Sequence, residues 1–558
     1  MQDLQLEELY KNSDFRKNVI HWYPVKENSS VLQIGYDSIK IVEELCDKFE
    51  KVTICVNNEE DKKEILGKYS DSEITIIDNL DKIPEREEYD YVTLIGTLEI
   101  YKDIVEKKAY KRLEKMLNIA KKACKENGKI LLAVDNKYGM KFWTTMYAQK
   151  NILCNQTFAI SKTMINELLE KLNLTNYKYY YMLPDYKMTN VVFTDNYLPN
   201  IENISRNFTY GEDDFATFNQ TEAYGEILKE DTELFKLYAN SYFVEISKQE
   251  LANNNIKFVS YTNIRQNEFS IQTTIFDDRV EKTYLTKKSK QHIENMKKNI
   301  DIMNENGIKT LDSYEKEKII SKFVSNVKTY DKILLEYLEK EDNEAFFEKI
   351  RDYKKFLIEK LGKINYNDIK ENNIFTKYEV KIEENIANKF NFVKNGLWDM
   401  IFQNIFYIEN EMYFYDQEWY DENVPVEYII YRTIAYFANA HEYIKTEELY
   451  NKLELSEYIN IFEELDAKIQ LEIRNEKMWK LHNSTKTGQT LLDSYKNLQN
   501  EYDEYTKKIK IVKTEEILLE NEKLKNENDN LKQINQKMLN STSWKLTKPI
   551  RWLGKKNK

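Results

Sequence analysis

Between Val31 and Val134 short apolar runs alternate with longer amphipathic stretches, and that alternation restricts the chain to few folds. Val31-Leu32-Gln33-Ile34-Gly35, Val52 to Val56, Ile74 to Ile77, Tyr91 to Ile95 and Ile130 to Val134 read as strands. Helical patterns run up to Phe49 and from Tyr110 to Lys125. Apolar strands joined through helices pair in parallel and are covered on both faces, so a doubly wound, Rossmann-like sheet is expected. With 558 residues the chain is too long for one core, and two or three domains are expected.

Val31 to Gly35 resembles the first strand of the class I S-adenosylmethionine-dependent methyltransferases, which runs into Gly-x-Gly-x-Gly. Gly35 holds the first glycine position, Asp37 and Ile39 the later two, and Gln33 the acidic position within the strand. Val56 and Asn57 stand at the end of the second strand, where that family places an acid. The resemblance implies S-adenosylmethionine lying against Gly35. Glycine lets backbone approach a ligand closely, so a carboxylate and a β-branched side chain at the later positions disfavour that cofactor. The segments 90–99 and 133–143, with Pro184-Asp185-Tyr186-Lys187 and Tyr197-Leu198-Pro199, resemble a methyltransferase-like group of bacterial surface-polysaccharide proteins. A first domain is expected over 1–208.

Residues 215–480 form the expected second domain. Tyr238 to Ile246, Phe258 to Tyr261, Phe269 to Phe276 and Arg279 to Tyr284 read as strands, and the chain then turns mostly helical. Its chemistry is concentrated between Gly396 and Tyr420. Asp399 and Asn404 are separated by four residues, and a hairpin of Ile405–Ile408 and Met412–Tyr415 over Glu409-Asn410-Glu411 delivers Asp416 beside them. One carboxylate orients a hydroxyl, while an amide and a second carboxylate hold magnesium against nucleotide phosphates. This order resembles the aminoglycoside and choline kinase branch of the protein-kinase-like superfamily, down to Asp416-Gln417-Glu418. The resemblance implies ATP and Mg2+, with Asp399 as base, Asn404 and Asp416 on the metal, and Lys282 on the phosphates.

Glu294 is the expected carboxylate partner of Lys282, and Leu334 to Leu338, including Glu336, the expected hinge between lobes. The hairpin from Phe258 to Phe276 contains no glycine, so Asn263, Arg265 and Gln266 or ordinary backbone would cover the phosphates. Leu397 stands where the family usually has histidine. A second Asp-x4-Asn copy, Asp368 to Asn373, lacks a following strand that ends in aspartate.

From Glu515 to Asn540, Ile517, Leu524, Leu531 and Met538 recur every seven residues, with Asn521, Asn528 and Asn535 at the other seam position. A helical coiled coil over 485–540, as a parallel dimer or trimer, is expected. Acids vanish over 541–558, where Trp544, Leu546, Ile550, Trp552 and Leu553 lie among Lys545, Lys548, Arg551, Lys555 and Lys556. Such a tail suits an anionic membrane surface.

Net charge is −12, against a general nucleic-acid binder. Cys46, Cys55, Cys124 and Cys154 show no metal spacing and fit a reducing cytoplasm. No apolar run reaches the length of a membrane span and the N-terminus lacks signal-peptide character, so a cytoplasmic protein peripheral to the inner face of the membrane is expected. The full architecture is multidomain α/β and α+β: a Rossmann-like methyltransferase fold, a protein-kinase-like fold, then a C-terminal coiled coil. This order resembles the bifunctional methyltransferase-like and kinase-like proteins that terminate bacterial O-antigen chains. It implies phosphorylation of a hydroxyl on a membrane- or lipid-linked surface glycan. Methylation of that glycan, or a noncatalytic scaffold recruiting glycosyltransferases, are the alternatives.

Overall fold

The computed structural model describes residues 11–70, 73–102, 105, 108–143, 158–204, 220–325, 327–440, 445–479, 502 and 517–546. Cys154, the interval between the two expected domains and the tail beyond residue 546 lie outside them. Met1–Lys486 is one compact unit and Thr487–Lys558 another.

Five parallel strands open the first unit: β1 (Ser30–Ile34), β2 (Lys51–Cys55), β3 (Ile74–Ile77), β4 (Tyr89–Ile95) and β5 (Cys124–Asp135). Successive side chains point to opposite faces, so Leu32, Leu94 and Leu132 join one buried cluster while Val31, Tyr91 and Leu131 join another. Helix Ile39–Lys48 buries Ile41, Val42 and Leu45, and its Ser38 cap accepts from the Lys40 N–H. Helix Ala109–Ala123 buries Leu113, Met116, Leu117 and Ala120 at helical spacing.

The sheet continues with β6 (Asn176–Leu183), β7 (Val191–Thr194) and β8 (Ser241–Ser247). β8 lies between β5 and β6, antiparallel to both. This corrects the assignment of residues 238–246 to the opening of the second domain. Every residue of β8 is buried, because neighbours cover it on both edges and both faces.

Five antiparallel strands follow: β9 (Ile256–Tyr261), β10 (Ile271–Phe276), β11 (Arg279–Tyr284), β12 (Asp312–Glu315) and β13 (Lys318–Lys322). β7 pairs with β9, so one 13-stranded sheet runs β12-β13-β11-β10-β9-β7-β6-β8-β5-β4-β1-β2-β3. Between β11 and β12, helix Lys290–Glu305 buries Ile293, Met296, Ile300 and Met303.

The rest of the unit is largely helical. Helices Tyr330–Glu339, Asn343–Lys360, Val426–Asn439 and Ile459–Ile473 surround a core that includes Leu334, Tyr353, Phe402, Phe437 and Phe462. Small sheets join β14 (Lys363–Ile364), β15 (Phe392–Gly396) and β18 (Asp421–Pro425), and separately β16 (Ile405–Ile408) and β17 (Glu411–Phe414). The expected hairpin is present. Glu409 and Asn410 both have positive φ (51° and 66°), the backbone of a tight two-residue turn whose twist matches its strands.

The expected hinge is corrected: Leu334–Leu338 lies inside helix Tyr330–Glu339, because Tyr330, Asp331 and Leu334 bury one helical face. In the second unit residues 517–540 are helical, with Ile517, Leu524, Leu531 and Met538 exposed along one seam. Among the described residues no helix is long and apolar enough to cross a membrane.

Candidate functional site

Alternation along β11 turns Lys282 inward, where it is buried while its strand neighbours stay partly exposed. Its ammonium pairs with Asp416 and lies 3.1 Å from Glu418 Oε1. Glu418 also accepts from Arg265 and, at 3.2 Å, pairs with His292 Nε2. Burial would raise the Glu418 carboxyl, but Arg265, then Lys282 and His292, hold it well below the ordinary carboxylate range.

Asp399 follows β15, and its carbonyl accepts from Ile401 N (2.8 Å), Asn404 Nδ2 (3.1 Å) and Gln417 Nε2 (3.2 Å). These bonds clamp the loop to the segment beyond β17, where Tyr415 N–H donates to Asn404 O at 3.1 Å. Loss of hydration, reinforced by Glu418, pushes the Asp399 carboxyl up to about 7 despite Arg432, Arg265 and Lys282. A carboxylate in that range can take a proton near neutral pH. Asp416 has φ +60°, and its N–H donates to Asp312 Oδ2 at 2.8 Å. Burial pushes Asp312 up to about 6.

The structure thus brings Lys282 to Asp416 and Asn404 to the Asp399 carbonyl, and places Glu294, Glu336 and Asn263 elsewhere. Glu294 Oε1 meets Lys297 Nζ one turn along its own helix, at 2.7 Å, rather than Lys282. The carboxylates from the loop after β17 have taken its place beside that lysine. Glu336 lies within its helix, paired with Lys328 and Lys340. Asn263 bonds Asn18 and the Thr189 carbonyl, toward the doubly wound half. In the second Asp-x4-Asn copy, Asp368 is exposed and Asn373 caps helix Ile374–Lys377.

His292, Asp312 and Arg432 went unread in the sequence. His292 offered one weak signal, its place two residues before Glu294 in the same helix. Beside Glu418 opens a cavity of about 490 Å³, lined in part by Tyr378, Trp398, Trp419, Tyr420, Lys377 and Asp421.

Asn404 and Asp416 supply an amide and a carboxylate, oxygen chemistry that suits Mg2+. Among the described residues no group of three or more His, Cys, Asp or Glu is placed to hold a metal. A magnesium ion here would therefore draw its remaining oxygens from phosphate and water.

The first-strand turn is built differently. Gly35 has φ +95°, and a Cβ there would lie 2.9 Å from Ile100 Cδ1 and 3.2 Å from Tyr101 Cε2. Asp37 covers Gly96, where a Cβ would lie 2.8 Å from Asp37 Cγ. Arg16 pairs with Asp37, while Gln33 Nε2 donates to Gly35 O (2.9 Å) and Ile95 O (3.1 Å). Ile100 and Tyr101 thus pack on the Cβ side of Gly35, next to the β1–β4 switch point where doubly wound sheets bind ligands.

No family model matches the chain, and no curated protein matches its sequence. Among solved structures, an S-adenosylmethionine-dependent methyltransferase from Archaeoglobus fulgidus is 16% identical, with a TM-score of 0.28, covering 44% of this chain and 99% of that one. A chain of the Haloferax volcanii complex containing the Trm112 methyltransferase activator is 14% identical, with a TM-score of 0.27, covering 44% and 94%. A cyclopropane-fatty-acyl-phospholipid synthase-like protein from Lactobacillus casei is 10% identical, with a TM-score of 0.25, covering 42% and 89%. The doubly wound fold rests on the strand order and not on these likenesses.

Proposed function

We propose that this chain transfers a phosphoryl group from a magnesium-bound nucleoside triphosphate to a hydroxyl. The observation that carries the reading is the meeting of Lys282, from the third of five antiparallel strands, with Asp416, just past the hairpin that follows Asp399 and Asn404. The five antiparallel strands β9-β10-β11-β13-β12, with a helix between β11 and β12, suit the small lobe of a kinase and support the same reading.

Asp399 receives the proton of the attacking hydroxyl, as its carboxyl near 7 allows. Lys282 places positive charge on the phosphates. Asn404 and Asp416 would hold magnesium, which when bound neutralises phosphate charge. The acceptor we favour is a hydroxyl of a lipid-linked surface glycan. The cavity beside Glu418 is lined in part by Tyr378, Tyr420, Lys377 and Asp421, aromatic and polar side chains of the kind that suit a sugar.

Calorimetry on the full chain tests the site. Asp416→Asn should abolish magnesium-dependent ATP binding and Asp368→Asn should leave it intact. Sensitivity at Asp368 instead would overturn the assignment of Asp399.

The doubly wound order, with Gly35 directly after β1, favours methyl transfer as a second reading. The packing of Ile100, Tyr101 and Asp37 opposes it, and no S-adenosylmethionine binding is expected at micromolar concentration. Micromolar affinity in the same calorimeter would restore methyl transfer, and binding of neither ligand would favour the scaffold.

A further inference from the structure

The connection between β9 and β10 is the part of the site where the absence of glycine matters most. Residues 262–270 contain none, so the segment is poorly suited to wrapping a phosphate in consecutive backbone N–H groups. It is instead pinned. Gln266 N–H donates to Ile473 O (2.8 Å), Gln266 Nε2 to Arg474 O (2.9 Å), and Asn475 N–H to Ile264 O (2.8 Å), all at the end of helix Ile459–Ile473.

What the pinned loop presents is a side chain. The Arg265 guanidinium lies 5.2 Å from the centre of the Trp419 ring and donates through one nitrogen to Glu418. Lys282 and His292 reach the same carboxylate from β11 and from helix Lys290–Glu305. Nitrogen groups from three separate segments thus surround a single carboxylate. A guanidinium held against an aromatic face keeps its planar fork of donors oriented, the geometry that reads phosphate oxygens.

We propose that Arg265, together with Lys282, binds the terminal phosphates of the nucleotide, and that Glu418 is the internal counter-ion holding their place until they arrive. This rests on the phosphotransfer reading and deepens it. A side chain takes over the role that a flexible glycine loop would play, and the carboxylate of Glu418 competes with the ligand for the same donors.

Calorimetry of the full chain with magnesium and either ADP or AMP tests it. Arg265→Ala should weaken ADP by about tenfold or more, the worth of one charged hydrogen bond, and leave AMP unchanged. Arg265→Lys keeps the charge without the fork and should weaken ADP, though less than alanine does. It decides the matter if the alanine variant does not fold. Glu418→Gln, which lowers the competing charge, should tighten ADP. Undiminished ADP affinity in both Arg265 variants overturns the proposal, and so does an equal loss for ADP and AMP, which would mark a merely structural arginine. Failure of the unaltered chain to bind ADP or ATP overturns the phosphotransfer reading itself, whereas ADP binding insensitive to Arg265 overturns only this inference.

Discussion

Ending the chain at residue 208 removes β8, which pairs over seven residues with β5 and over seven with β6. Tyr242, Phe243, Val244 and Ile246 of that strand are fully buried. At about 1.5–3 kcal/mol for each large apolar side chain, their loss withdraws roughly 6–12 kcal/mol. That is comparable with the roughly 5–15 kcal/mol by which a whole domain is stable. The polar ties go too, since Glu245 accepts from Tyr23 (2.7 Å) and Tyr180 (3.0 Å) across the same core. Urea unfolding followed by circular dichroism should therefore show a cooperative transition for residues 1–250 and none for residues 1–208. A cooperative transition of 1–208 with the midpoint and slope of 1–250 would refute the argument that β8 is integral to the first sheet.

The Asp399 carboxyl, pushed up to about 7 from an ordinary 3.8, bears on both rate and stability. Phosphotransfer should rise with pH toward a plateau above 7 and vanish in Asp399→Asn. Between about pH 4 and 7 the folded chain keeps a proton that the unfolded chain has lost, so raising pH across that window costs stability. Asp399→Asn should accordingly raise Tm at pH 8 by roughly 2–4 °C and change it little at pH 4, a pattern that scanning calorimetry checks. In residues 517–540 the seam of Ile517, Leu524, Leu531 and Met538 faces a second copy in our proposal. A parallel in-register pair sets Glu520 against Lys525 and Glu527 against Lys532 of the other chain, whereas an antiparallel pair opposes like charges. Replacing both glutamates by lysine should abolish self-association in sedimentation equilibrium, adding Lys525→Glu and Lys532→Glu should restore it, and an unchanged association state rejects the register. Truncation after Asn540 should release the protein from anionic vesicles, and salt should do so in part; equal binding with and without the tail excludes it as the anchor.

Much of the local structure was legible because it follows from local chemistry. The apolar runs read at Val31–Gly35, Val52–Val56, Ile74–Ile77, Tyr91–Ile95 and Ile130–Val134 fall on strands, the hairpin around Glu409-Asn410 has its expected span to within a residue, and Lys282 alternates inward as read. The hairpin also sets its two ends side by side, since Asn404 Nδ2 before it and Gln417 Nε2 after it both donate to Asp399 O.

What failed depended on groups far apart in sequence. A strand's own pattern says that it pairs but not with whom, so Ser241–Ser247 read as the start of a new domain although it lies inside the sheet, between β5 and β6. A helix places residues two apart on different sides, which is why His292 reaches the site while Glu294 turns to Lys297. The sequence by itself determined periodicity, turn chemistry and the absence of a glycine cradle. Only the tertiary structure could decide that Arg265, Lys282 and His292 converge on Glu418, that Ile100 and Tyr101 pack on Gly35 and that Asp37 packs on Gly96, because charge pairing and side-chain packing are set by which segments meet in space.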